Sequence, residues 1–162
     1  MIPEIKKILY ATDLSENAKH AFSYAAILAN RFDAKITVIH VLETISTNAE
    51  LRIVEYLGKD RWKEIQEKNK QQYIENTKKS LNNFCEEMSS NSTSCPFLID
   101  EIIVKEGLPV EEILKVVDSK NCDMVVMGTH GYGIIANALI GSNARHIVRR
   151  CKKPVLVIRL PE

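Results

Sequence analysis

The chain has 162 residues, which is the size of one domain and enough to bury about two thirds of its unfolded surface around a single core. Lys and Arg total 22 against 21 Asp and Glu, and this near-neutral charge excludes a general electrostatic attraction to nucleic acid or anionic lipid. Every apolar stretch is shorter than the ~20 residues of a membrane-spanning helix, and the N-terminus lacks the long apolar core of a signal peptide. We therefore expect one domain over residues 1–162, in the cytoplasm, with no nucleic-acid partner and no membrane segment.

The chain's four cysteines are Cys85, Cys95, Cys122 and Cys151. They are widely separated, without the C-x-x-C spacing or the nearby paired histidines of a structural zinc site. Reduced thiols that pack in the interior fit this pattern. The sequence therefore predicts no metal site.

The first elements predicted along the chain are a strand, a helix and a second strand. The apolar run Ile8–Ala11 predicts a buried strand. Asp13 and Ser15 then favour a turn and a helix start, with Ser15 as the N-cap. Over residues 16–32, apolar positions recur every three or four residues and predict a helix that can lie on a sheet. The segment KITVIHVL, residues 35–42, is rich in β-branched residues and predicts the second strand.

Residues 46–96 are polar and carry two helical stripes, so we expect a long α-helical crossover there. The first stripe consists of Leu51, Val54 and Leu57 and ends near Gly58. Residues 89–96 predict a loop by their composition. The second, longer stripe consists of Tyr73, Thr77, Leu81, Phe84 and Met88.

The second half of the chain alternates strands with helices. Strands are expected at residues 97–104, 123–127 and 154–160, with one helix from Pro109 onward and a last helix over residues 142–151. Such alternation implies right-handed crossovers and a mainly parallel sheet with helices on both faces, which is an α/β fold.

Ligands of such sheets bind beyond the carboxyl ends of the strands, where the strand order reverses. In this chain those ends are Tyr10–Asp13, Val41–Glu43 and the segment after Met127. We therefore expect the functional residues there.

A glycine-rich segment follows the fourth predicted strand and reads GTHGYGIIANALIGSN. Glycine lets backbone amides approach an anion closely. Gly141, Ser142 and Asn143 open the next helix and supply N–H groups, a hydroxyl and the positive end of a helix dipole. This combination predicts a phosphate site.

Two other phosphate motifs fit this segment less well. A P-loop is excluded because Ile134 and Ile135 stand where Lys and Ser or Thr are required. Gly131–Ala136 matches the dinucleotide pattern G-x-G-x-x-A, but the acidic residue expected about 20 positions later is missing. NAD is therefore disfavoured.

The glycine spacing also carries a family resemblance. Gly128, Gly131, nine further residues and then Gly141-Ser142 match the signature of the universal stress proteins without a gap. The segments KKILYATDLSENAKHAFSYAAILA and RRCKKPVLVIR resemble two other segments of that family. The chain thus resembles the nucleotide-binding subgroup of this family over essentially its whole length. The resemblance implies an open, Rossmann-like, five-stranded parallel sheet of order 3-2-1-4-5.

The resemblance further implies an adenine nucleotide, ATP or else AMP or ADP, with Mg²⁺ as an optional companion. Asp13 would meet the adenine or ribose, Val41 the base, and Met127 with Gly128 the ribose. Ala11 stands where one common form of the family has proline, which still permits a backbone contact. The full set of binding residues implied in this way is Ala11, Thr12, Asp13, Val41, Met127, Gly128, His130, Gly131, Gly133, Gly141, Ser142 and Asn143.

Simpler interpretations stand beside these. Asp13 could serve only the helix start, and His130 could be an exposed loop residue without a catalytic role.

The resemblance implies a homodimer through the last strand, Val155–Ile158, with an unidentified protein partner. We expect a nucleotide-dependent switch in the stress response, and no self-contained enzyme, because no lysine clamp, carboxylate pair or base is evident. A slow or partner-dependent ATP hydrolase and an adaptor without nucleotide remain as alternatives.

Overall fold

The computed structural model describes residues 2–89, 98–129 and 140–160. Five strands and five helices alternate over these residues, apart from one pair of consecutive helices. In chain order they are β1 (Lys7–Ala11), α1 (Glu16–Phe32), β2 (Lys35–Leu42), α2 (Thr47–Leu57), α3 (Lys59–Ser89), β3 (Ile99–Glu106), α4 (Pro109–Ser119), β4 (Met124–Gly128), α5 (Ser142–Arg150) and β5 (Val155–Ile158).

The five strands form one parallel sheet in the order β3-β2-β1-β4-β5, which confirms the predicted fold class. Tyr10 on the central strand pairs with Val38 on one side and Val126 on the other. The strand order reverses between β1 and β4, so a crevice opens at their carboxyl ends.

Two hydrophobic cores cover the two faces of the sheet. One packs the alanine-rich face of α1 against β1, β2 and β4, with the rings of Tyr10 and Phe22 only 5.1 Å apart. The other packs α4 and α5 against the opposite face, around Ile113 and Ile147. Cys122 lies fully buried in this second core, where burial raises the pKa of its thiol to about 11. This agrees with the prediction of a reduced thiol that packs in the interior.

Local sequence signals set the ends of α1. The Ser15 hydroxyl accepts a hydrogen bond from the Ala18 amide at 3.2 Å, which confirms the predicted N-cap. The helix ends at Asp33, whose left-handed backbone (φ 50°) stops the regular hydrogen bonding.

The polar crossover is two helices separated by Gly58, which has a positive φ of 84°. In α2, however, no residue is fully buried; Leu51 is 55% exposed and only Val54 of the predicted stripe is half-buried. The stripe of α2 therefore packs weakly. In α3, Thr77 and Leu81 are buried as expected, and Tyr73 lies near the end of β2.

Several strand bounds differ from the prediction by one or two residues: β1 begins at Lys7, β3 ends at Glu106, β4 ends at Gly128, and β5 runs over Val155–Ile158 and not over 154–160. β3 begins at Ile99 and not at Phe97, a residue outside the described part of the chain. β4 begins one residue after Asp123, because the carboxylate of Asp123 accepts the backbone amides of Lys6 and Lys7 at 2.8 and 2.9 Å. Within the described ranges, no helix combines the length and the apolar character needed to cross a membrane.

Candidate functional site

A cleft of about 850 Å³ lies at the carboxyl edge of the sheet, bounded by the ends of β1, β2 and β4 and by the start of α5. Three of the predicted binding residues, His130, Gly131 and Gly133, lie outside the described residues. All nine others line this one cleft: Ala11, Thr12, Asp13, Val41, Met127, Gly128, Gly141, Ser142 and Asn143.

The loop after β1 is held in place by short-range hydrogen bonds. The Thr12 amide donates to the Ile39 carbonyl at 3.0 Å, and Oδ1 of Asp13 accepts the Ser15 amide at 3.0 Å. Leu14 between them has a positive φ of 66°. Asp13 thus supports the start of α1 and, at the same time, lines the cleft, so the two interpretations of this residue are compatible.

His40 closes one side of the cleft from β2. Its Nδ1 lies 2.8 Å from the Thr12 carbonyl, which can only accept, so the ring carries its proton on Nδ1. The imidazole stacks on Tyr73 with ring centroids 5.7 Å apart. His40 is thus a packed, hydrogen-bonded histidine. In the part of the chain that the structure describes, no three His, Cys, Asp or Glu residues group as a metal site.

The start of α5 provides the positive side of the cleft. The N-cap Gly141 has no capping side chain, and its own amide donates to the Thr129 carbonyl at 2.6 Å. The first regular helical bond then joins the Arg145 amide to the Gly141 carbonyl at 3.0 Å. The amides of Ser142, Asn143 and Ala144 make no hydrogen bond to any described residue, as expected for a first turn.

These amides refine the predicted phosphate site. The sequence suggests that Gly141 itself donates, but its N–H is already used within the protein. The donors that face the cleft are therefore one residue further along, at Ser142–Ala144, together with the exposed Ser142 hydroxyl. Such a cluster at the positive end of a helix dipole binds anions.

Formal charges are few among the described residues that line the cleft. Asp13 and Glu43 are the acidic residues, and Arg145 is the only Lys or Arg. Sequence reasoning missed Arg145 as well as Tyr73 and Thr129. Arg145 could have been found from its spacing, since it lies four residues after Gly141 on the same helix. Tyr73 carries no such signal, because only tertiary packing brings α3 to this edge.

The fold and the cleft together define a Rossmann-like α/β domain with a crevice at the switch in strand order, beside the start of a helix. The sequence model described as the universal stress protein family matches residues 4–159. The chain therefore belongs to the universal stress protein family.

Individual relatives agree with this assignment. Universal stress protein MJ0577 of Methanocaldococcus jannaschii is 28% identical over 158 residues, covering 95% of this chain and 94% of the relative. A solved structure of MJ0577 has a TM-score of 0.73 at 27% identity and covers 99% of both chains.

Two more distant structures share the fold. A universal stress protein solved in complex with cAMP has a TM-score of 0.56 at 22% identity, covering 96% of this chain and 98% of its own. One from Archaeoglobus fulgidus, solved in complex with dAMP, has a TM-score of 0.55 at 20% identity, covering 97% and 99%.

Proposed function

We propose that the cleft binds an adenine nucleotide, with ATP as the main ligand, and that occupancy switches the interactions of a cytoplasmic homodimer in the stress response. The observation that carries the proposal is the convergence of Ala11–Asp13, Val41, Met127–Gly128 and Gly141–Asn143 on one cleft. These four segments are far apart in sequence, and a Rossmann-like sheet brings ligand-binding loops together at this edge. The cAMP and dAMP complexes of the two distant relatives support an adenine ligand.

The charges and donors of the cleft favour one orientation of the nucleotide. The amides of Ser142–Ala144 suit phosphate, whereas the carboxylate of Asp13 suits a ribose hydroxyl and repels phosphate. Neighbouring strands lie about 4.8 Å apart, so the ends of β2 and β4 are separated by roughly 10 Å. A nucleoside that spans from Val41 to Gly128 would therefore place its phosphates at the start of α5. Mg²⁺ would arrive with the triphosphate.

In the proposed homodimer, the two copies pair through β5. This strand is an edge of the sheet, and no described strand pairs with its outer side. Val155, Leu156 and Val157 remain only half-buried. Exposed backbone groups beside apolar side chains favour the addition of a second copy across a two-fold axis.

A pair of matched variants tests nucleotide binding. Ser142→Asp places a carboxylate at the start of α5, which suits the helix dipole but repels phosphate. Ser46→Asp adds the same charge at the start of α2, where Ser46 caps the helix and does not line the cleft. We expect calorimetric titration with ATP to show binding by the wild type and Ser46→Asp, and at least about tenfold weaker binding by Ser142→Asp.

Two results would count against the proposal. No heat of binding in the wild type at millimolar ATP would show that the chain does not bind ATP. Equal affinities for all three proteins would show that ATP binds away from the start of α5. Incubation of the wild type with ATP and Mg²⁺ for hours distinguishes a switch from a hydrolase, because sustained phosphate release would assign turnover to the cleft.

A further inference from the structure

We propose that Arg145 binds the phosphate chain of the nucleotide and makes the cleft prefer ATP or ADP to AMP and adenosine. This inference rests on the proposed function and deepens it. Arg145 lines the cleft from α5, and its side chain is exposed. Among the described lining residues it is the only Lys or Arg, so it supplies the positive charge that a polyphosphate requires.

The position of Arg145 on α5 directs it toward the phosphate donors. Side chains on a helix lean toward its N-terminus. Arg145 lies four residues after the N-cap Gly141, which is about 6 Å along the helix axis. A long side chain that leans back over this distance brings its guanidinium to the level of the Ser142 and Asn143 amides.

Among the described residues, no ion pair offsets the charge of Arg145. The first turn of α5 contains no acidic residue, and none of the ion pairs within residues 2–89, 98–129 and 140–160 involves Arg145. The sequence has no Asp or Glu between Asp123 and Glu162, so residues 130–139 contain no carboxylate either. A cation so near the start of a helix opposes the dipole and lowers stability. Local rules are broken in this way mainly where a ligand repays the cost.

The two kinds of donor suit different parts of a polyphosphate. The Ser142–Ala144 amides can satisfy one phosphate group, as they would for AMP. A guanidinium adds a planar, bidentate donor for a further phosphate that AMP and adenosine lack. Asp13 and Glu43 line the cleft just after β1 and β2 and repel phosphates, which favours a phosphate chain that extends toward Arg145 on α5.

The test compares Arg145→Gln with Arg149→Gln. Arg149 is exposed on the same helix but does not line the cleft, so its variant removes an equal charge away from the ligand. Calorimetric titrations of ATP, AMP and adenosine at 0.15 M salt are made with both variants and the wild type. Thermal unfolding verifies that all three proteins are folded, and Arg145→Lys serves as a second variant that retains the charge but loses the bidentate geometry.

We expect the wild type to bind ATP more tightly than AMP and adenosine, and Arg145→Gln to weaken ATP binding about tenfold while the affinities for AMP and adenosine change less than about twofold. The ATP affinity of Arg145→Lys should lie between those of the wild type and Arg145→Gln, and the ATP affinity of Arg149→Gln should match that of the wild type. The inference is overturned if Arg145→Gln binds ATP as the wild type does, if it loses ATP and adenosine equally, or if Arg149→Gln loses as much. Failure of the wild type to bind any of the three ligands would instead overturn the proposed function, and the inference with it.

Discussion

A Cβ atom added to Gly128 would lie 2.7 Å from Nδ2 of Asn17 and 3.1 Å from its Cγ. Asn17 is buried in the first turn of α1, and its Nδ2 donates to Oγ1 of Thr129 at 3.4 Å. The helix thus packs directly onto the end of β4, at the edge of the cleft. The glycine at position 128 therefore has a packing reason in addition to any contact with a ligand.

Gly128→Ala should lower the free energy of unfolding by about 1–3 kcal/mol, because the new methyl group overpacks the contact with Asn17. In the double variant with Asn17→Ala, the two nearest side-chain atoms are gone, and the backbone carbon of Asn17 remains at 3.3 Å. Urea unfolding of the four proteins should therefore give a loss for the double variant smaller than the sum of the single losses. Strictly additive losses would show that the two residues do not press on each other.

Asp13→Asn separates the two roles of Asp13. The amide oxygen can still accept the Ser15 amide, so stability should change by less than about 0.5 kcal/mol. A ribose hydroxyl would lose its charged acceptor, and adenosine affinity should fall about tenfold. Unchanged adenosine affinity at unchanged stability would restrict Asp13 to the helix start.

Tyr10 should make stability fall at alkaline pH. Its ring is buried, its hydroxyl donates to the Ala18 carbonyl, and burial raises the pKa of the phenol above its usual value. Above the unfolded pKa of about 10, the unfolded chain has lost this proton while the folded chain retains it. The group's contribution is therefore fully present below about pH 10 and falls by about 1.4 kcal/mol per pH unit above it.

Tyr10→Phe is the control for this effect, because it removes the ionisable group from both states. At pH 8 it should be less stable than the wild type by about 1 kcal/mol, since the bond to Ala18 is lost. The gap should close as denaturant unfolding is repeated toward pH 11. Parallel curves of stability against pH for the two proteins would mean that Tyr10 has the same pKa in the folded and the unfolded chain.

Val157→Pro tests the proposed dimer edge. The carbonyl of Pro154 accepts the amide of Val125 in β4, and the carbonyl of Ile158 accepts the amide of Thr129 just after β4, both at 2.9 Å. The even-numbered residues of this segment therefore pair inward, and the backbone of Val157 faces outward. Proline there removes an outward N–H and leaves the ladder to β4 intact. The wild type should sediment at twice the chain mass of 18.4 kDa, Val157→Pro as a monomer, and Val157→Thr, which retains its N–H, as a dimer. A monomeric wild type, or a dimeric proline variant, would contradict this edge.

Much of the fold could be predicted because its signals are local. The bounds of α1 and β2 agree with the prediction at both ends, since capping residues and β-branched runs act within a few positions. The strand order, by contrast, came from a family resemblance and is confirmed by the sheet. The weak packing of α2 could not be predicted, because a stripe such as Leu51, Val54 and Leu57 does not reveal how much surface lies opposite it.

The candidate site divides in the same way. Residues at the ends of β1, β2 and β4 could be assigned to one edge from topology alone. Two other features depend on tertiary contacts between distant segments. They are the hydrogen bond from the Gly141 amide to the Thr129 carbonyl and the position of Tyr73 of α3 in the lining of the cleft. Arg145 lies between these cases, since helix geometry predicts its direction but only the folded cleft shows what it faces.

A crystal structure of the chain grown with ATP and Mg²⁺ is the sharpest test of nucleotide binding in the cleft. We predict electron density for the nucleoside across the ends of β2 and β1, beside Val41 and Asp13, with phosphate oxygens within hydrogen-bond distance of the Ser142 and Asn143 amides. A cleft without nucleotide density at saturating ATP, or a nucleotide bound away from α5, would contradict it.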